Sequence, residues 1–319
     1  MLKYILKKLL LALPVLLGIT IIDFALMSLA GSPVEMMNGP RMSQEAIALR
    51  EAAWGLDQPV WKQYIGWLGD VLSGNLGYSY KSYEPVTEII GAKLGPTLLL
   101  MGVSLAVGLG IAIPAGIYSA VHRYKKRDYA VVTTSFFLSS VPGFFLALIL
   151  VYIFHVTLGW LPSSGMTTPN TGGDFVDILR HMVMPVMVLA ASIAGSNIRY
   201  VRSAVMEILQ MDYIRTAKAK GLGRRLVIGR HAWRNALLSV VTVVGMQLPT
   251  LFGGAVIVEQ VFSWPGLGLE TFSAITGRDY PVVMGVCLLS AVVVLVANLL
   301  TDIVYALVDP TIRYEGQEG

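Results

Sequence analysis

Long apolar runs separated by short charged turns dominate the pattern of this chain. Six of them reach the ~20 residues that carry a helix across a bilayer: about Leu9 to Ala30, Leu94 to Ala120, Tyr129 to Leu158, Ile178 to Tyr200, Ala236 to Phe262 and Val282 to Val308. The second is uncharged and contains Pro96 and Pro114, and the third is broken by Pro142-Gly143. The fourth carries Pro185 and a series of small residues (Ala190, Ala191, Ser192, Ala194, Gly195, Ser196) that suits close helix packing. The first follows Lys3, Lys7 and Lys8. Ser28-Leu29-Ala30 resembles a signal-peptide cleavage site, but the apolar part exceeds the roughly 7–15 residues of a signal core, so it reads as a retained span. Asp23 within it is costly in hydrocarbon and is expected to face protein or water.

Between the first two spans lies the one sizeable polar insertion, 31–93, with both charge signs and several Trp and Tyr residues. Trp61, Tyr64, Ile65 and Leu68 recur at helical spacing there and predict a short amphipathic helix whose stripe serves as a packing or interface surface rather than for ligand binding. Lys and Arg set the orientation. With the N-terminus inside, 17 of the 24 fall on inner segments: the N-terminal lysines, the turn from His122 to Arg127, the stretch Arg199 to Arg234, and Arg313. Six spans with both termini inside is the expected topology.

Composition agrees with that pattern. The chain has 319 residues, 55% hydrophobic and 14% charged, with a mean hydropathy of +0.66, against about 25% charge in soluble domains. Its single cysteine, Cys287, excludes a disulfide framework and a thiolate metal site. The basic residues are not interleaved with stacking aromatics on a soluble domain, so no nucleic acid is expected. No phosphate-binding glycine loop, zinc-protease motif, nucleophile elbow or paired carboxylates appear, and His122, His155, His181 and His231 are scattered. An enzyme is not expected, nor a cofactor or metal bound by this chain.

What remains is the basic stretch from Met211 to Asn235. Asp212 to Gly221 reads as a short helix, with Asp212 able to serve as N-cap and Gly221 suited to the left-handed position past the end, from which Leu222 folds back. Lys218 and Lys220 stand in the last turn, where the dipole favours cations. Tyr213, Ala217 and Gly221 recur at i, i+4, i+8, a thin face that lets another surface approach closely. The other reading of such a stretch is a solvated basic loop that fixes topology. Three further polar residues fall in or beside spans: Asn298 and Asp302, one turn apart, and Glu259 near the expected outer end of the fifth. They are candidates for a pathway or gate, with structural pairing the competing role.

The stretch DYIRTAKAKGL followed by RHAWRNALLSVVTVVGMQL resembles the cytoplasmic signature of ABC-type importer permeases, and more narrowly the dipeptide, oligopeptide and nickel permease family in its first-subunit branch. GLDQPVWKQYIGWL, GNLGYSY, VFSWPGLG with RDYPVV, and DIVYALVDPTIRY agree, in order, over essentially the whole chain. The wider importer signature begins Glu-Ala-Ala where Arg215-Thr216-Ala217 stand here, as in the peptide and nickel branch, and a proline is common where this chain has Ser239.

The resemblance implies an all-α, type I importer permease fold. It implies one transmembrane domain over 1–319, with 31–93 an extracytoplasmic insertion and 204–234 a cytoplasmic coupling loop. In that family the signature helix docks on the ATPase, which here implicates Asp212, Tyr213, Ile214, Arg215, Thr216, Ala217, Lys218, Ala219, Lys220, Gly221 and Leu222. It further implies a homologous second permease, two cytoplasmic ATPase subunits holding ATP and Mg, an extracytoplasmic binding protein, and a bacterial or archaeal inner membrane. The implied substrate is a di- or oligopeptide, the broader branch of the family, with nickel or another metal chelate the alternative. An autonomous carrier, the alternative of another class, would show internal repeats and a row of membrane carboxylates; neither is evident.

Overall fold

Every expected span that falls on described residues is helical. The computed structural model describes residues 2–34, 43–169, 173–223, 245, 247 and 255–308. In chain order the helices are α1 (Leu2–Leu29), α2 (Gln44–Ala53), α3 (Val60–Leu72), α4 (Val86–Val121), α5 (Lys126–Ser140), α6 (Gly143–Leu150, continued as a π-helix over Val151–Thr157), α7 (Phe175–Ile208), α8 (Asp212–Ala219), α9 (Leu267–Thr276) and α10 (Tyr280–Val308). Among the described residues the only β pairing is one bridge, Tyr78 to Pro85. Four helices, Ile5–Leu29, Val86–Val121, Phe175–Ile208 and Tyr280–Ile303, are long and apolar enough to cross a bilayer. The span expected over Ala236 to Phe262 lies outside the described residues except for 245, 247 and 255–262; so do Ser239 and Arg313.

Several elements differ from the reading of the sequence. α4 starts at Val86, eight residues before the expected span, because Val86 and Ile90 are buried and so extend its apolar face into the insertion. The Pro142-Gly143 break is a bend of 97° between Lys126–Ser140 and Gly143–Thr157. Proline has no N–H to give to the ladder and disfavours helix in the residue before it; Val141 is accordingly extended, at φ −74° and ψ 123°.

The chain forms two units, Met1–Thr97 with Pro265–Leu295, and Leu98–Trp264 with Val296–Gly319. In the first, Val86, Ile90, Leu267, Ala274, Val282, Val283 and Val286 make the core. Asp279 ties the insertion to the start of α10: its carboxylate accepts from the Ser79 hydroxyl at 2.5 Å and the Tyr80 amide at 3.0 Å. Thr97 Oγ1 accepts the Leu267 amide at 2.7 Å, supplying a partner to a donor that the start of α9 leaves open. Asp23 is half-buried and meets Cys287, as expected of a charge that avoids lipid. Tyr64 of the predicted stripe packs on Phe24, while Trp61 and Ile65 stay exposed.

In the second unit α7 is the axis. Gly108 and Gly116 of α4 meet it so closely that a Cβ on either would stand 2.7 Å from Ile193 or Val201. These pairs advance together along both helices, so α4 and α7 run parallel. α5 and α6 run the other way: Asp128 pairs with Arg202, Gly195 backs onto Ser139, and Gly143 lies beside Val188. Ala147 and Leu150 then join the core around Met184 and Leu189. The bent segment therefore travels the length of α7 instead of returning to its starting end.

Candidate functional site

Two cores occupy opposite ends of the α4–α7 pair. One holds Leu100, Met184, Val258, Phe262 and Trp264; the other holds Ala120, Val201, Val205, Ile208, Ile214 and Ala217. From Leu100 to Ala120 a helix rises about 30 Å, the thickness of a bilayer's hydrocarbon.

α8 belongs to the second core. The turn Leu209–Met211 reverses the chain after α7, and the Met211 carbonyl accepts the Arg215 amide at 3.3 Å. Met211 thus occupies the N-cap position expected of Asp212, which becomes the first helical residue and places its charge at the positive end of the dipole. Its ion pair with Arg215, 3.4 Å and exposed on both sides, adds little. Gly221 adopts φ +79°, and the Leu222 amide returns to the Ala217 carbonyl at 3.3 Å, the bond that closes a left-handed helix end. The expected C-terminal boundary is reproduced.

The thin face is not. Ile214 is fully buried and Ala217 nearly so, both against α4 and α7 of their own chain. Burying a side chain like Ile214 contributes about 1.5–3 kcal/mol, enough to hold a two-turn helix that is unstable alone. Ala217 is small because α8 lies close on its own helices. Asp212, Tyr213, Arg215, Thr216, Ala219, Lys220, Gly221 and Leu222 face outward, and a Cβ at Gly221 would meet nothing within 4 Å. The Lys218 side chain lies outside the described residues.

Beside this core stands an ion pair that sequence reasoning missed. The Asp128 carboxylate, 2% exposed, accepts from Arg202 Nε and Nη2, each at 2.8 Å, from the Tyr124 amide at 2.9 Å, and from the Ser119 hydroxyl. It joins the end of α4, the basic turn, α5 and α7 at one point, next to the seam on which α8 rests. A fork-to-fork Arg–carboxylate contact is among the stronger polar interactions, and here the acid's acceptor sites are filled. One signal was present: Asp128 is the lone acid at the end of a basic run. Asn197, also unremarked, is fully buried in mid-α7 and donates to the Ile193 carbonyl at 2.7 Å.

The pathway candidates lie elsewhere. Glu259 is fully buried in the helical residues 255–261, within the core at the far end from α8, and its carbonyl accepts the Trp264 amide at 2.9 Å. Asn298 is exposed and Asp302 half-buried, one turn apart on α10; neither belongs to the two cores around α7. Among the described residues no group of His, Cys, Asp and Glu could hold a metal ion.

The family described as binding-protein-dependent transport system inner membrane component matches residues 112–314, and the N-terminal family of the same membrane components matches 1–101. The oligopeptide transport system permease protein AppB of Bacillus subtilis is 43% identical over 316 residues, 98% of this chain and 100% of that protein. The dipeptide transport system permease protein DppB of Escherichia coli K12 is 39% identical over 338 residues, 99% of this chain and all of that protein. Among solved structures, the inward-facing MetNI methionine ABC transporter contains a chain with a TM-score of 0.59 at 21% identity, over 69% of this chain and 96% of that one. That likeness is one of fold, the type I importer permease fold. With its two family matches together reaching from residue 1 to 314, the chain belongs to the family of binding-protein-dependent transport system inner membrane components.

Proposed function

We propose that this chain is the first permease subunit of an ATP-driven importer of di- and oligopeptides, acting as one membrane domain with a homologous second permease. It crosses the membrane six times with both termini in the cytoplasm, and the insertion 31–93 faces the extracytoplasmic binding protein. The parallel course of α4 and α7, with the antiparallel α5–α6 segment between them, supports alternating spans. α8 and Gly221-Leu222 dock on a cytoplasmic ATPase through the outward residues Asp212, Tyr213, Arg215, Thr216, Lys220 and Leu222. Two ATPase subunits bind ATP and Mg and hydrolyse the nucleotide. Alternating access follows when the ATPases bind the two permease states with different affinity and so shift their populations. Glu259, Asn298 and Asp302 line or brace the moving parts of the pathway.

One observation carries the peptide reading: full-length identity near 40% to proteins named oligopeptide and dipeptide permeases. It is tested by uptake into proteoliposomes, with this chain alone and then with the second permease, ATPases and binding protein. Labelled dipeptide, longer peptide and nickel are offered in parallel. ATP-dependent peptide uptake that requires all partners is the expected result. Preference for nickel would replace the substrate, and gradient-driven uptake by the isolated chain would overturn the importer reading.

A further inference from the structure

Within the unit of Met1–Thr97 and Pro265–Leu295 lies a cavity of about 760 Å³, built from five stretches. The end of α1 at Phe24 and Met27, and α3 at Gln63 and Trp67, form one wall. Leu76 to Tyr83 and the start of α10 at Tyr280 and Met284 form the facing wall, and the turn from Trp54 to Gln58 closes a third side. Small-ligand pockets run from about 300 to 1,000 Å³.

Its walls are braced. Thr20 Oγ1 lies 3.0 Å from the Tyr64 hydroxyl, and Phe24 meets Tyr64 edge-on at 5.5 Å, fixing α3 on α1. Opposite, Asp279 holds Ser79 and Tyr80, and Trp54 stacks on Tyr80 with ring centres 4.1 Å apart. Burial, with the Asp279 carboxylate beside it, pushes the Tyr80 phenol up to about 12, so it remains neutral at physiological pH. Tyr83 is held at φ +59°, a conformation that costs a residue with a side chain and clusters at functional sites.

The lining pairs apolar bodies with an acidic excess. Glu51, Asp70 and Lys62 are the charged lining residues. Glu51 accepts from the Ser32 hydroxyl, and the Lys62 ammonium donates to Gln58 Oε1 at 2.9 Å, while Arg50, outside the lining, lies over the Trp54 ring and donates to the Tyr83 hydroxyl. The Trp67 indole N–H is buried without an acceptor, and buried donors of this kind are rare because each costs free energy. Carboxylates seek a cation, the indole seeks a carbonyl oxygen, and the aromatic wall seeks an apolar side chain. A free amino-terminal residue offers all three.

We propose that this cavity binds a short peptide by its amino terminus. The ammonium sits at Glu51 and Asp70, the first carbonyl accepts from Trp67 Nε1, and the first side chain rests on the aromatic wall. The choice of a peptide among amines rests on the peptide-importer reading; the three-part chemistry does not.

The test uses the full permease–ATPase complex in nanodiscs, without binding protein, titrated calorimetrically with Ala-Phe and N-acetyl-Ala-Phe. Ala-Phe is expected to bind, and acetylation, which removes the charge, to weaken it about tenfold or more. Glu51→Gln, which keeps an acceptor for the Ser32 hydroxyl, and the exposed Asp70→Asn each lower affinity about tenfold, and Trp67→Phe lowers it less. Equal binding of both ligands, binding unchanged in the Glu51 and Asp70 variants, or no binding at all would overturn the proposal. Uptake of Ala-Phe by the complete importer is measured alongside: its absence sinks the peptide reading, whereas uptake without cavity binding sinks only this inference.

Discussion

α1 and α7 are both long apolar helices, yet 61% of the apolar stretch of α7 is buried inside the protein against 6% of that of α1. The more apolar of the two, α1, is the less buried, so hydrophobicity alone does not set burial here. What separates them is the small and polar residues of α7: Ala190, Ala194, Gly195 and Asn197, each buried, where α1 presents Leu9, Leu10, Leu11 and Leu13 outward. In a bilayer lipid is as apolar as leucine, so large side chains gain nothing by turning inward, and close backbone approach and polar pairing decide which helix becomes the axis.

The sharpest way to break α7 is through its polar clasp. Asp128→Ala strands Arg202 and should cost about 3–5 kcal/mol, read as a lowered thermal midpoint in detergent; a shift near zero would remove the clasp from the account. Overpacking comes next. Gly116→Leu drives a side chain into Val201 and should destabilise by about 1–3 kcal/mol, and a variant of wild-type stability would show that α4 and α7 are not in close contact.

Gly221→Pro tests the end of α8 with a smaller structural effect and a larger functional one. Proline fixes φ near −65° and cannot take φ +79°, so the variant should reach the membrane at normal levels yet fail to couple ATP hydrolysis to uptake. Coupled uptake at the wild-type rate in that variant argues against docking at this end. Smallest of all is Leu10→Ala on α1: at 61% exposure it should change stability by no more than about 0.5 kcal/mol, and a larger loss would mean that α1 packs on protein, not lipid.

Run length and turn residues made the spans on described residues legible, since bilayer thickness imposes itself on the chain locally. The end of α8 was legible for the same reason: a left-handed glycine is a one-residue signal. Its start was harder, because Met211 and Asp212 differ by one place and the carbonyl, not the acid side chain, does the capping. Ala217 packs against its own helices, a contact that the sequence did not announce because a small residue permits close approach without saying by whom. Asp128 and Arg202 stand 74 residues apart, and nothing local announces that they meet. The proline at 142 marked a break, but a bend of 97° depends on how α6 follows α7, which only the packed structure reveals.

α7 has 34 residues and is therefore about 51 Å long, roughly 20 Å more than the hydrocarbon it crosses. The surplus makes it a lever. A tilt of about 10° about one end would swing the other by ~9 Å over that length, and α8, seated on that far end, would be carried with it. A small rotation within the lipid would thus give a large displacement beyond it, geared by the length of a single helix.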